Sequence, residues 1–371
     1  MLKFVYLAID FWLRLINFLS LHIVFNLISN FLNSYIAVNQ TTDITSKWHK
    51  FYVMLIVFIV LAITIAVSLV TTSFVMEAEN HARYLGIRNV HAERIAKTVH
   101  GMEMNAMNVF DEVQKNLSSP NAVVDALMSK TRLAPDVRGY FAAFEPEFFP
   151  EKGRWFEPYV HHTDTTDFQL SQVGSARHDY TKSEWYKRAK NFGKSFWSDP
   201  YYYYDGTDIS GHYTTFVEPI YDASGKLACV CGADMTFEWL SKEVQQIDDE
   251  SRNNDLLNFF LLNDGGEFYT VVLNNDGSSI ASPEGKPVKL TEDQVGQSLE
   301  LRKSGMVETK INGQHSTVYY TPVERVNWSV AVVVTDQGIA KAMIKFGIIL
   351  LLITILGMIV VWLACRRLSL D

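Results

Sequence analysis

The chain has 371 residues, enough for two or three domains. Its formal net charge is −8, with no basic stripe away from the apolar runs, which sets nucleic acid aside as a partner. Apolar residues make up 48% against 20% charged, and they come in blocks rather than spread evenly.

Residues 1–38 are apolar but broken by Asp10, Arg14 and several asparagines. The stretch from Leu15 to Val38 fits either an extra membrane helix or an interfacial one. Residues 39–50 are polar and end in Lys47, Trp48, His49 and Lys50. From Phe51 to Met76 no residue is charged, a length that covers a bilayer core of about 30 Å at about 1.5 Å per residue. A second uncharged run goes from Phe346 to Cys365 and is closed by Arg366 and Arg367. The lysines before the first run, the acids Glu77 and Glu79 after it, and the arginines after the second place residues 77–340 outside the cytoplasm. In a bacterium this is an inner-membrane protein with a periplasmic region.

From Glu77 to about Leu117 the pattern is helical, with Ile95, Val99, Met102, Ala106 and Val109 forming one apolar stripe. That stripe fits a helix packed on its own core, and it equally fits a stalk that makes a homodimer. Strands are expected at Arg138–Phe149 and Trp155–His162. A capping box, Thr181-x-x-Glu184, should start a helix that runs to about Asn191. Four tyrosines, Tyr201 to Tyr204, lead into a turn at Asp205-Gly206, and strands follow at His212–Ile220 and Leu227–Met235. Beyond a helix near Phe237–Ile247, a second block begins near Leu256. Its strand-like runs are Glu267–Leu273, Ser279–Ala281, Gly305–Ile311, Ser316–Thr321 and Trp328–Val334, and a helical segment spans Thr291–Leu301. Asn275-Asp276-Gly277 and Asn312-Gly313 supply hairpin turns.

The densest chemistry lies between Tyr180 and Asp234. Strand alternation puts Asp234 on one face with Ala228, Val230 and Gly232, small neighbours that leave room for a charged ligand group. Asp234 could equally cap the helix near Phe237. Tyr180, Trp185, Tyr186, Trp197 and the tyrosine run could be core or the walls of a small-molecule pocket; an aromatic box with one acid suits an ammonium group. His161 and His162 are adjacent on a strand and so point to opposite faces, which argues against a metal site. Cys229, Cys231 and Cys365 lack metal-type spacing, and a disulfide between Cys229 and Cys231, two apart on a strand, would be strained. No nucleophile elbow or phosphate loop is present, so neither catalysis nor a cofactor is expected.

The order of apolar run, long helix, two α+β blocks and apolar run resembles bacterial double Cache (dCache) sensor regions over about Phe51 to Arg367. The likeness is carried by Asp179-Tyr180, Trp185-Tyr186, Trp197-Ser198-Asp199-Pro200-Tyr201, Thr214-Thr215, Pro219, Gly225 and Asp234. It is carried too by Pro150 to Trp155, and by Val272–Pro283, Tyr320-Thr321-Pro322 and Trp328 in the second block. The resemblance implies an α+β fold of two PAS-like (Cache) units on a long N-terminal helix, flanked by transmembrane helices. The division expected from it is an N-terminal segment 1–50, a span 51–76, a stalk helix 77–120, a membrane-distal unit 121–250, a membrane-proximal unit 251–338, a span 344–365 and a cytoplasmic end 366–371. It implies a small ligand, of a class left open, held by Tyr180, Trp185, Tyr186, Trp197, Asp199, Tyr201, Thr214 and Asp234, and a kinase or phosphatase output in the cytoplasm. In the amino-acid-binding subgroup an Arg stands two residues before the Trp-Tyr pair. Here that position is Ser183, with Arg177 as a substitute cation, and Asp234 corresponds to the acid that meets the ligand's amino group. The alternative is a membrane-anchored scaffold that binds a protein partner and no small ligand.

Overall fold

A computed structural model describes residues 43–131, 137–163, 167–204, 210–252, 268–283, 286–291 and 302–336, with Leu299 and short helical pieces between 347 and 359. Most side chains before His81 lie outside this description, as do residues 1–42, the start of the second block at 253–267, most of the helix expected at 291–301 and the turn at Asp205-Gly206. The chain divides into two compact units, Ala82–Ala342 and a second made of the residues before and after it.

Helix α1 runs Asp43–Lys115, continuous through the first apolar run. Among the described residues no helix is long and apolar enough to cross a membrane. The second apolar run falls largely outside them.

Within Ala82–Ala342 the fold is α+β, with the long helix set against two antiparallel sheets. Helix α2 (Pro120–Thr131) leads into β1 (Gly139–Phe144), β2 (Pro158–His162) and β3 (Phe168–Gln172). Then come α3 (Glu184–Phe192), the short strands β4 (Phe196–Trp197) and β5 (Tyr201–Tyr203), and the long strands β6 (Gly211–Tyr221) and β7 (Leu227–Thr236). Among the described residues they form one sheet in the order β3-β2-β1-β7-β6-β4, with β5 also on β6. Helix α4 (Glu238–Arg252) precedes the second sheet, built from β8 (Phe268–Leu273), β9 (Ser279–Ala281), β10 (Gly305–Ile311), β11 (Gln314–Pro322) and β12 (Ser329–Thr335) in the order β10-β11-β12-β8-β9.

Strand alternation fixes what each face of the first sheet meets. Cys229, Cys231, Ala233 and Met235 of β7 and Phe216 and Ile220 of β6 share a core with Ile95, Val99, Met102, Ala106 and Val109 of α1. The apolar stripe of α1 is therefore consumed inside the chain, and a homodimer would have to use another face of the helix. Further towards its N-terminus α1 serves the second sheet: Tyr84 packs with Tyr319, Val332 and Val334, and Arg88 Nη1 donates to the Tyr320 carbonyl at 3.1 Å.

The structure departs from the sequence reading in four places. Strand β1 ends at Phe144, where the chain turns and leads into a short 3₁₀ helix, Pro150–Lys152. The capping box does not form: Thr181 sits in a 3₁₀ turn with its hydroxyl on Asp179 Oδ1 at 2.6 Å, and Ser183 holds the N-cap position of α3. Part of the tyrosine run is a strand in its own right, and β3 adds an edge strand that had no clear alternating pattern. The Asn312-Gly313 hairpin turn forms as expected, with both residues at positive φ, which the two-residue turn between β10 and β11 requires.

Candidate functional site

The face of the first sheet turned away from α1 carries a cleft. Its floor comes from three neighbouring strands in register, with Asp234 of β7 between Gly139 of β1 and Thr215 of β6. Two missing side chains shape it. A Cβ on Gly232 would sit 2.1 Å from Phe141 Cζ, so glycine there lets the Phe141 ring lie flat across β7. A Cβ on Gly139 would sit 2.7 Å from Tyr159 Cε2, so glycine there lets the Tyr159 ring pass over β1. Trp185 of α3 stands edge-on to Phe141, with ring centres 5.0 Å apart. Strand β5 forms the opposite wall: Tyr201 and Tyr203 face in, while Tyr202 and Tyr204 are 58% and 73% exposed. Glu157, Val173, His178 and Tyr213 complete the lining. The cleft encloses about 520 Å³ of space between atoms, a figure that includes its opening to solvent.

Asp234 is the centre of polarity. It lies inside β7 and accepts hydrogen bonds across the sheet, so the helix-capping alternative for it falls away. Thr215 Oγ1 donates to its Oδ1 at 2.6 Å and the Tyr201 hydroxyl at 3.3 Å; Tyr201 and Thr215 also share a hydrogen bond of 2.8 Å, and Tyr159 donates to the same carboxyl. Burial pushes the Asp234 carboxyl up to about 6, although the three hydroxyl donors pull it down. Glu157 is 3% exposed, and its Oε2 has no hydrogen-bond partner among the described residues. The nearest base, His178, stands with Nε2 at 3.7 Å. Burial, and then the charge of Asp234, hold the Glu157 carboxyl well above the usual carboxylate range. Burial and Asp234 likewise push the Tyr159 and Tyr201 hydroxyls up. Among the described residues that line the cleft, none is a lysine or arginine.

Of the eight residues expected to hold a ligand, Trp185, Tyr201 and Asp234 line this cleft. The other five lie elsewhere. Tyr180 is fully buried beneath it, its hydroxyl on the Phe144 carbonyl at 2.6 Å. Tyr186 is also buried and donates to Glu145 Oε1 at 2.8 Å. Trp197 turns to the α1 side, where its Nε1 donates to Glu103 Oε1 at 2.7 Å. Asp199 accepts from Asn327 Nδ2 at 3.0 Å, a bond to the second sheet's β11–β12 connection. Thr214 points to the α1 face and bonds the Ser198 carbonyl; its neighbour Thr215 is the one in the cleft. Arg177 is exposed and outside the lining, and Ser183 is taken up by the start of α3. The sequence reading missed Glu157, Tyr159, His178 and Thr215. Glu157 had a signal, being an acid in the apolar run Trp155–His162. Thr215 had none, because its parity relative to Asp234 depends on the β6–β7 register, which is irregular at Ile220–Tyr221. His161 and His162 do face opposite ways, one towards Ser171 Oγ at 3.2 Å and the other towards the Thr131 carbonyl at 3.2 Å.

Residues 123–242 match the model of the methyl-accepting chemotaxis protein-like first PDC sensor domain. They contain the whole of the cleft. The chain has the double Cache sensor fold. Solved structures share the fold over 70–72% of the chain. The extracellular domain of mmHK1S-Z3, a protein assigned as a histidine kinase, aligns with 18% identity and a TM-score of 0.56, covering 71% of this chain and 97% of its own. A structure named methyl-accepting chemotaxis protein X aligns with 20% identity and a TM-score of 0.52, covering 70% and 99%. The extracellular domain of soHK1S-Z6, also assigned as a histidine kinase, gives 18%, 0.52, 72% and 97%. At these identities the likeness is one of fold. No curated protein sequence matches the chain. In the Cache frame the cleft belongs to the first sheet, the part covered by the family model.

Proposed function

We propose that the chain is a transmembrane sensor module that binds a small extracytoplasmic ligand in the cleft of its first sheet, through a positively charged group seated on Asp234. One observation carries the reading. A carboxyl that is 9% exposed lies at the floor of an aromatic cleft, bonded to hydroxyls, and the described residues that line the cleft include no lysine or arginine. Burying a carboxylate without a cation costs several kcal/mol, and a ligand ammonium would supply the missing charge with aromatic faces around it. The described lining offers no lysine or arginine to grip a ligand carboxylate, which weighs against a plain amino acid.

The uncharged runs Phe51–Met76 and 346–365, with basic residues on their outer flanks, support two membrane spans and a periplasmic position for residues 77–340. Ligand binding can shift the signalling equilibrium only by its differential affinity for the two states. A kinase or phosphatase output on the cytoplasmic side fits this reading.

The test is a thermal-shift screen of the purified full chain in detergent against amines, amino acids, carboxylates, sugars and purines. A ligand at a hundred times its dissociation constant adds about 2.7 kcal/mol of stability, a readable shift. A hit that disappears in Asp234→Ala supports the sensor. A flat screen on folded protein turns the reading towards a scaffold that binds a protein partner.

A further inference from the structure

We propose that the β11–β12 connection is a latch that locks the second sheet to the first, with Arg325 as its catch on Glu103. The latch concerns how the two sheets move together and does not depend on what the cleft binds.

The connection is residues 323–328, closed across its base by the Val323 N to Trp328 O hydrogen bond of 2.8 Å. Its flanking strands belong to the second sheet, yet Val323, Val326 and Trp328 are buried in the same core as α1 and the first sheet. The Trp328 ring lies 6.3 Å from Trp197 and 5.8 Å from Phe237. Two polar ties flank this apolar peg. Arg325 Nη1 donates to Glu103 Oε2 of α1 at 2.8 Å, and Asn327 Nδ2 donates to Asp199 Oδ1, between β4 and β5, at 3.0 Å. Glu103 uses its other oxygen to accept from Trp197 Nε1 at 2.7 Å, so one buried carboxyl joins α1, β4 and the turn. From behind, Arg302 donates to the carbonyls of Val323 and Val326 and keeps the turn fastened to its own sheet.

The backbone of the turn is set in an unusual position. Arg325 has φ 74° and Arg302 φ 53°, the left-handed region that a residue with a Cβ rarely takes. Such a conformation persists only where surrounding contacts hold it. At Arg325 the contact that reaches outside the second sheet is the guanidinium on Glu103. Loss of that bond would let the backbone return to an ordinary turn, with Asn327 drawn off Asp199 and Trp328 off its partners. The turn then has a latched and an unlatched arrangement, which is what a switching element requires. The latched one is held by α1 and the first sheet, so a shift in either reaches the second sheet here.

Native-state hydrogen exchange of the full chain in detergent, read by mass spectrometry at rising urea, tests the latch without any ligand. In wild type the slowest amides of β7 and β12 should exchange at one common rate, because latched sheets open together. Arg325→Gly removes the catch without straining the backbone. It should speed β12 about ten-fold or more and leave β7 within about two-fold of wild type. Glu103→Gln, which can still accept from Trp197, should do the same. The double variant should be no faster than either single one, since both cut one bond. Asn327→Ala, at the half-buried second tie, should give a smaller rise in the same direction. Separate rates for the two sheets in wild type, an unchanged β12 in the variants, or equal acceleration of β7 and β12 would each overturn the latch. Additive effects of Arg325→Gly and Glu103→Gln would overturn Arg325 on Glu103 as its catch.

Discussion

Asp234→Asn should make the protein more stable while destroying its ligand site. The unfolded carboxyl titrates near 3.8 and the folded one near 6. Below the lower value both states are protonated and the buried acid costs nothing. Above the upper value both are ionised, and the folded state carries the full penalty. A shift of that size corresponds to about 3 kcal/mol, and at 9% exposure solvent screens little of it. Stability of the wild type should thus fall as pH rises from about 4 to about 6 on account of this group. Asparagine removes the charge and still accepts from Thr215 and Tyr201, though its amide hydrogens need acceptors in turn. The net gain at pH 7 is then about 1–3 kcal/mol. Urea unfolding of the full chain, followed by tryptophan fluorescence at pH 7 and pH 5, measures it. The variant should gain at pH 7 and show a flatter pH dependence than wild type. Equal midpoints and equal pH slopes would refute the argument, because they would mean that Asp234 is already neutralised inside the empty fold.

Gly232→Ala should destabilise the protein by about 1–3 kcal/mol, the usual cost of overpacking, because its Cβ meets the Phe141 ring at 2.1 Å; the pushed ring should also narrow the cleft, read as weaker binding of whichever amine the wild type takes. Trp197→Phe leaves the buried Glu103 Oε1 without the indole donor, and a urea midpoint should show a loss of about 1–3 kcal/mol. In a Cys365→Ser background the remaining thiols are Cys229 and Cys231, both buried and 3.8 Å apart, with the Cys231 thiol pushed well above its ordinary value by burial. A thiol reagent should label neither in the native protein and both in urea; rapid native labelling would contradict the packing of β7 against α1.

Much of the fold could be read from the sequence because its signals are local. The runs Ser279–Ala281 and Gly305–Ile311 are strands with those bounds, whereas α3 begins at Glu184 behind an N-cap at Ser183 rather than at the Thr181 capping box. The site was legible only in part. Asp234 stood out because alternation alone placed it on a face of small residues, and β7 has that alternation. Thr214 and Thr215 could not be separated in the same way, since choosing between them needs the β6–β7 register, which has an irregularity at Ile220–Tyr221. Trp197 and Asp199 were read as pocket residues for the company they keep in sequence. Strand β4 is only two residues long and turns its indole to the helix, while the chain runs on into β5 on the cleft side. The stripe on α1 carried no signal of whether its partner is a second chain or its own sheets, and the structure gives it to the sheets.

The misplaced pair, Trp197 and Asp199, bears on how a filled cleft could be felt outside it. Five consecutive residues hold three different bodies together. Tyr201 touches Asp234 in the cleft. Asp199 bonds Asn327 of the second sheet. Trp197 bonds Glu103 of α1, which is 5% exposed and also accepts from Arg325 Nη1 at 2.8 Å. Trp328 then packs 6.3 Å from Trp197 and 5.8 Å from Phe237, just before α4. A ligand that drew Tyr201 inward would pull on a segment tied at both Glu103 and Asn327. Glu103 is buried and bridges an indole and a guanidinium, so it loses a full hydrogen bond if the segment shifts without it. Coupling of this kind predicts that Trp197→Phe weakens the link between cleft and second sheet more than it weakens the cleft itself. Amine affinity in that variant should stay close to wild type. Hydrogen exchange at β11 and β12 should then lose any protection that the amine confers on wild type.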